Sequence, residues 1–180
     1  MTVQRTAEVL RRFDAAELSV CRYLNRGCAL TGLRQFFATV SRLGDGVIWY
    51  ALMLVLPLLD PVAGWAHALQ MLVTGAVGVG LYKLLKRTLV RERPFIQCAH
   101  ISLGAAPLDR YSFPSGHTLH AVSFTTLALS HYPELALLLV PFAILVAASR
   151  VVLGLHYPTD VLAGAGIGFA LASASLQLFA

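Results

Sequence analysis

Charge is scarce in this chain. Asp, Glu, Lys and Arg make up 13% of its 180 residues, about half of the roughly 25% usual in soluble domains. With 57% hydrophobic residues and a mean hydropathy of +0.70, the shortage excludes an ordinary water-facing surface and points to lipid as the solvent. Cysteine is sparse as well. Cys21, Cys28 and Cys98 are odd in number and lack metal-ligand spacing; a disulfide between two of them stays open, nothing favours it, and free thiols are expected. The N-terminal stretch MTVQRTAEVLRRFDAAEL has no apolar core of the kind a cleavable signal peptide needs, so none is expected. No repeat, low-complexity tract or linker divides the chain, and its length fits a single domain over 1–180. No Asp/Glu/His cluster has the spacing of a divalent-metal site, so neither a metal nor another cofactor is expected.

What charge there is has a sign and a place. The formal net charge is +5, and every Lys and Arg falls within residues 5–42, within 83–110, or at Arg150. Basic residues separated by long apolar runs do not build one basic face, so no nucleic-acid partner is expected, and an anionic lipid or phosphate fits better. Nothing in the chain calls for an obligatory protein partner.

A membrane-crossing helix needs about 20 mostly apolar residues. Residues 47–59 form a short first candidate and 62–85 a full-length second. Residues 117–131 and 134–149 form a third and a fourth, parted by HYPE, whose proline suits a helix start. The fifth, 159–179, is rich in Gly, Ala and Ser, and GAGIG at 164–168 provides the small-residue spacing that lets helices approach closely within one chain. Residues 1–44 mix apolar positions with Arg22, Arg26 and Arg34 at helical spacing, which reads as an amphipathic segment in the interface. The predicted fold is therefore all-α: a polytopic membrane bundle over 45–180 preceded by an interfacial segment. It has five crossings, or six if 27–41 also crosses at the expense of burying Arg34. Trp49 and Trp65 read as interface anchors.

With five crossings, one face of the membrane receives the N-terminal segment and the connections 86–116 and 150–158. Three stretches there stand out: KRTLVRERP (86–94), PSGH (114–117) and SRVVLGLHYPTD (149–160). Lys86 and Arg93 can neutralise an oxyanion, and Arg150 adds a planar donor fork suited to phosphate oxygens. Ser115 and Gly116 stand at the start of a helix, where free N–H groups favour an anion. A neutral imidazole is a competent nucleophile toward phosphorus and a protonated one a competent acid for the leaving oxygen. His156 precedes Asp160 by four residues, so the carboxylate can reach back to the ring and fix its tautomer. His117 has no carboxylate near it in sequence and suits the acid role. Singly, Asp160 reads as a first-turn acid, Ser115 as an N-cap and Arg150 as an interfacial anchor; their convergence on one face favours chemistry. His67, His100, His120 and His131 read as structural, His120 being nearly one turn from His117, and Tyr157 as packing beside the site.

Lys86-x6-Arg93-Pro94, Pro114-Ser115-Gly116-His117 and Ser149-Arg150-x5-His156-x3-Asp160 together resemble the three-part signature of the type 2 phosphatidic acid phosphatase superfamily, in order and in spacing. The resemblance implies a metal-independent reaction through a phosphohistidine on His156, with His117 protonating the leaving group. It also implies that Lys86, Arg93, Ser115, Gly116 and Arg150 hold the phosphate. The short connections are similar to those of small bacterial members acting on undecaprenyl pyrophosphate or phosphatidylglycerophosphate. The crossings argue against the family's vanadium haloperoxidases and soluble acid phosphatases.

The expected function is hydrolysis of a phosphomonoester or pyrophosphate on a membrane lipid, phosphatidic acid included. A lipid phosphotransferase, passing the phosphoryl group to a lipid or sugar hydroxyl, is the enzymatic alternative. A transporter subunit that binds phospholipid without turnover is the non-enzymatic one. The expected setting is a bacterial inner membrane. The positive-inside rule would turn the arginine-rich face inward. Phosphate binding accounts for many of those cations whatever the topology, so the site is expected to face the periplasm or cell exterior.

Overall fold

A computed structural model describes residues 2–179, with side chains described for residue 12 and residues 14–179. The side chains of residues 1–11 and 13, which form part of the predicted interfacial segment, lie outside that description. The described residues form helices and no strand. They are α1 (Thr2–Asn25), α2 (Thr31–Arg42), α3 (Ile48–Leu59), α4 (Gly64–Thr88), the single turn α5 (Pro94–Gln97), α6 (Gly116–His131), α7 (Ala136–Val152) and α8 (Pro158–Leu178).

Among the described residues, four helical runs are long and apolar enough to cross a membrane: Thr31–Leu59, Gly64–Thr88, Pro133–Val152 and Pro158–Leu178. The first differs from its prediction. It starts at Thr31, not at 47, because GDG at 44–46 does not end a helix but only interrupts it. The Ile48 N–H reaches back five residues to the Leu43 carbonyl, while Asp45 (φ −85°, ψ 33°) and Gly46 (φ 117°) leave helical geometry. Arg34 stands on the exposed surface of this longer run. The predicted third crossing, α6, has 16 residues, about 24 Å at 1.5 Å per residue. It is the central helix, with Leu119, Ala121, Leu127 and Ala128 almost wholly buried.

The core gathers Trp49, Leu56, Met71, Leu127, Leu139 and Val146. Trp49 is thus not the interface anchor expected. It is 1% exposed, packs against Phe124 and Phe142, and donates its ring N–H to the Gly44 carbonyl at 3.0 Å, an acceptor lying at the helix interruption. Trp65 is exposed, as are Leu54, Leu137 and Leu162. That apolar outer surface suits lipid, not water.

The glycines of the 164–168 motif work inside the chain. A Cβ on Gly164 would lie 2.5 Å from the Ser115 carbonyl oxygen, and one on Gly168 would lie 2.3 Å from that of Leu119. Helix α8 therefore rests directly on the backbone of α6. Cys21, Cys28 and Cys98 are free thiols. Burial raises the Cys21 thiol to about 12, with a smaller push from Glu17, which makes it inert.

Candidate active site

The three sequence stretches converge. Lys86 ends α4, Arg93 opens α5, Gly116 and His117 open α6, Arg150 lies in the last turn of α7, and His156 sits in the connection before α8. All six line one cavity of about 260 Å³. Two predicted residues stand outside its wall. Ser115 is fully buried and caps α6, its hydroxyl accepting from the Thr118 N–H at 3.4 Å and pairing with the Thr118 hydroxyl at 2.9 Å. Asp160 lies behind His156, its Oδ2 3.6 Å from the ring Nδ1.

The tautomer of His156 follows from its neighbours. Arg93 Nη1 lies 3.2 Å from His156 Nε2 and donates to the Leu155 carbonyl at 2.7 Å. A guanidinium only donates, so Nε2 facing it carries a lone pair and the ring proton belongs on Nδ1, toward Asp160. Burial, then the charges of Arg150, Arg93 and Lys86, push the His156 pKa well below its ordinary value. That shift favours the neutral ring, whose Nε2 lone pair faces Arg93 at the cavity wall.

Two of the cations grip one carboxylate and, among the described residues, the third grips none. Lys86 Nζ meets both Asp109 carboxylate oxygens at 2.8 Å, and Arg93 Nη2 meets Oδ1 at 2.7 Å. Burial alone would raise the Asp109 carboxyl; hydrogen bonds and charge from Lys86 and Arg93 outweigh it and hold it below the usual carboxylate range. Arg150 is 3% exposed. It donates through Nη1 to the Ser41 hydroxyl, its Nε has no hydrogen-bond partner, and no carboxylate among the described residues pairs with it. A buried guanidinium left this way has donor capacity to spare for an anion.

Behind His156 stands a clamp the sequence reading missed. Arg91 bonds Asp160 Oδ1 at 2.8 Å, the Thr159 hydroxyl at 2.8 Å and Glu17 Oε2 at 2.7 Å, and stacks on the Tyr157 ring at 3.9 Å. Glu17, from α1, also accepts the Thr159 N–H at 2.8 Å, and Asp160 Oδ2 accepts the Tyr157 N–H at 2.8 Å. The first helix thus fastens Asp160, whose Oδ2 lies 3.6 Å from His156 Nδ1. Removing one member of a buried ion pair costs about 3–5 kcal/mol, so Arg91→Ala should lower the melting temperature in detergent clearly. Arg91→Lys should recover little, since one ammonium cannot reach three partners and also stack.

Asp45, Asp109 and Tyr82 also line the cavity and were not singled out. Asp45 carried a signal, being a carboxylate between glycines in an apolar helix, where charge is costly and tends to be functional. Asp109 carried none. His67 and His131 stack on each other at 3.7 Å, away from the cavity. His120 does line it, each ring nitrogen facing a carbonyl oxygen, of Gly116 and of Gly75. Among the described residues no three His, Cys, Asp or Glu side chains are grouped to hold a metal ion.

A family model described as the PAP2 superfamily matches residues 64–180. The decaprenylphosphoryl-5-phosphoribose phosphatase of Mycolicibacterium smegmatis is 37% identical over 97 residues, covering 49% of this chain and 51% of the relative. Phosphatidylglycerophosphatase B of Bacillus subtilis is 36% identical over 126 residues, covering 59% and 55%. The chain thus spans about half the length of these two relatives. The crystal structure of Aquifex aeolicus LpxE superposes with a TM-score of 0.76 at 28% identity, covering 89% of this chain and 94% of that one.

Proposed function

The chain belongs to the PAP2 superfamily, and from that premise we propose that it is an integral membrane phosphatase that hydrolyses a lipid phosphomonoester or pyrophosphate through a phosphohistidine. The observation that carries the reading is the gathering of Lys86, Arg93, Arg150 and His156 around one cavity, with His156 Nε2 3.2 Å from Arg93 Nη1. Lys86 and Arg93 already grip one carboxylate, that of Asp109; a phosphate presents the same kind of oxygens with more charge. Trp49, Met53, Leu72 and Val79 line the rest of the cavity and suit the start of a lipid tail.

In this reading His156 Nε2 attacks phosphorus, and Asp160 stabilises the charge that develops on the ring. Lys86, Arg93 and Arg150, with the N–H groups at Gly116 and His117, hold the phosphoryl oxygens. His117 protonates the leaving oxygen and later takes a proton from water. Ser115 acts by holding the helix start that presents those N–H groups. We further propose that α6 is a fifth crossing shielded by its neighbours, that residues 1–44 include an interfacial segment, and that the site faces the periplasm or exterior of a bacterial inner membrane.

The test is phosphate release by the purified protein from undecaprenyl pyrophosphate, phosphatidylglycerophosphate, phosphatidic acid and lipid A. Turnover of at least one is expected, surviving EDTA and inhibited by vanadate, whose trigonal-bipyramidal form on His156 would resemble the transition state. Binding across the panel without turnover would overturn the proposal.

A further inference from the structure

The interruption in the first membrane run lies level with the catalytic groups, since Ser41 just before it bonds Arg150. Gly46, at φ 117°, takes a conformation that side chains disfavour, and widened turns of this kind recur in helices at functional sites. The result is to turn one carboxylate, Asp45, into the cavity. Its Oδ1 lies 3.4 Å from His117 Nε2, and Asp45 and His117 both also line a second cavity of about 660 Å³.

His117 needs such a partner. It is 8% exposed, and the groups sharing its cavity are Lys86 from α4, Arg93 from the start of α5, Arg150 from α7, His156 before α8 and His120 on its own helix. Each of these is cationic or becomes so, and each disfavours an imidazolium. Asp109 lines the same cavity but is engaged by Lys86 and Arg93. Among the described residues Asp45 is the carboxylate within ion-pair distance of His117.

We infer that Asp45 is a positioning residue for the general acid, holding His117 protonated and oriented until the leaving oxygen takes the proton. This rests on the phosphatase reading above. In the first step the His156 Nε2 lone pair forms the N–P bond as the P–O bond to the lipid breaks. The electron pair of that bond stays on the leaving oxygen, which receives the His117 proton, and Asp45 keeps its charge throughout. In the second step water gives a proton to His117 and its oxygen bonds to phosphorus, and the N–P electron pair returns to His156. The site then holds two His–Asp pairs: His156 with Asp160 from the adjoining helix, and His117 with Asp45 from a distant one.

The test compares wild type, Asp45→Asn and Asp45→Glu on an alkyl phosphate lipid and on p-nitrophenyl phosphate across pH, with ¹⁵N-imidazole NMR of His117, assigned by its loss in His117→Ala. Asp45→Asn is expected to lower kcat on the lipid by roughly 10- to 100-fold, up to the lower end of the 10²–10⁴ a general acid contributes. That loss should be at least tenfold greater than on p-nitrophenyl phosphate, whose leaving group needs little protonation. The alkaline limb of kcat/KM and the His117 midpoint should both fall by about one pH unit, and Asp45→Glu should restore part of each. Equal losses on the two substrates, or an unmoved limb and midpoint, would overturn the inference. If the wild type turns over neither substrate, the phosphatase reading fails, while the NMR midpoints still decide whether Asp45 holds the His117 proton. Should Asp45→Asn fold poorly, Asp45→Ser read by the same NMR titration decides the question.

Discussion

His156→Ala is expected to show no turnover on any substrate, with a loss on the order of 10⁴–10⁶, as when a covalent nucleophile is removed. The ring is buried and neutral, its Nε2 faces the cations, and no other described nucleophile stands in its place. The informative comparison is with His117→Ala. An acid is worth about 10²–10⁴-fold when the departing oxygen is a poor leaving group and much less when it is a nitrophenolate. His117→Ala should therefore be far more active on p-nitrophenyl phosphate, relative to wild type, than on a lipid alkyl phosphate, while His156→Ala should be dead on both. Single-turnover rates for the two variants on the two substrates make the measurement. Rescue of His156→Ala, and not of His117→Ala, by the better leaving group would exchange the assigned roles.

Arg150 gives the second large effect. Losing one preorganised donor to a developing oxyanion typically costs about 10²–10³ in kcat, and Arg150→Ala should fall in that range. Arg150→Lys should be nearly as damaging. The guanidinium is almost fully buried, one nitrogen is held by Ser41, and Nε remains to be used. An ammonium offers a point charge without the fork, and it could not keep the Ser41 contact and reach the phosphate together. Near-wild-type kcat in the lysine variant would show that charge alone matters at this position.

Much of the site could be read along the chain because its chemistry comes in short segments. Asp160 follows His156 by four positions, Arg93 follows Lys86 by seven, and the helix start at 115–117 announces itself by its cap. The bundle was legible for a similar reason, each crossing being one apolar run. What escaped depends on contacts across the fold. Glu17 meets Arg91, and Asp45 meets His117, between segments that share no local pattern. The start of the first helix was misplaced because glycines flanking an acid look like a terminator, whereas one i→i+5 turn carries the helix across. Trp49 was misassigned for the same cause: hydropathy reports that an indole is present, not that the interruption leaves it a carbonyl to bond.

The two glycines of α8 carry one more consequence. Gly164 touches the carbonyl of Ser115, the residue that caps the helix bearing His117, and α8 itself begins just after His156. How His156 and His117 sit relative to each other accordingly depends on two positions outside the cavity, where a Cβ would meet the backbone of α6. A change there would alter no charge and remove no catalytic group. It would push α8 off the backbone of α6, so the calibration of the proposed site belongs to residues outside its wall.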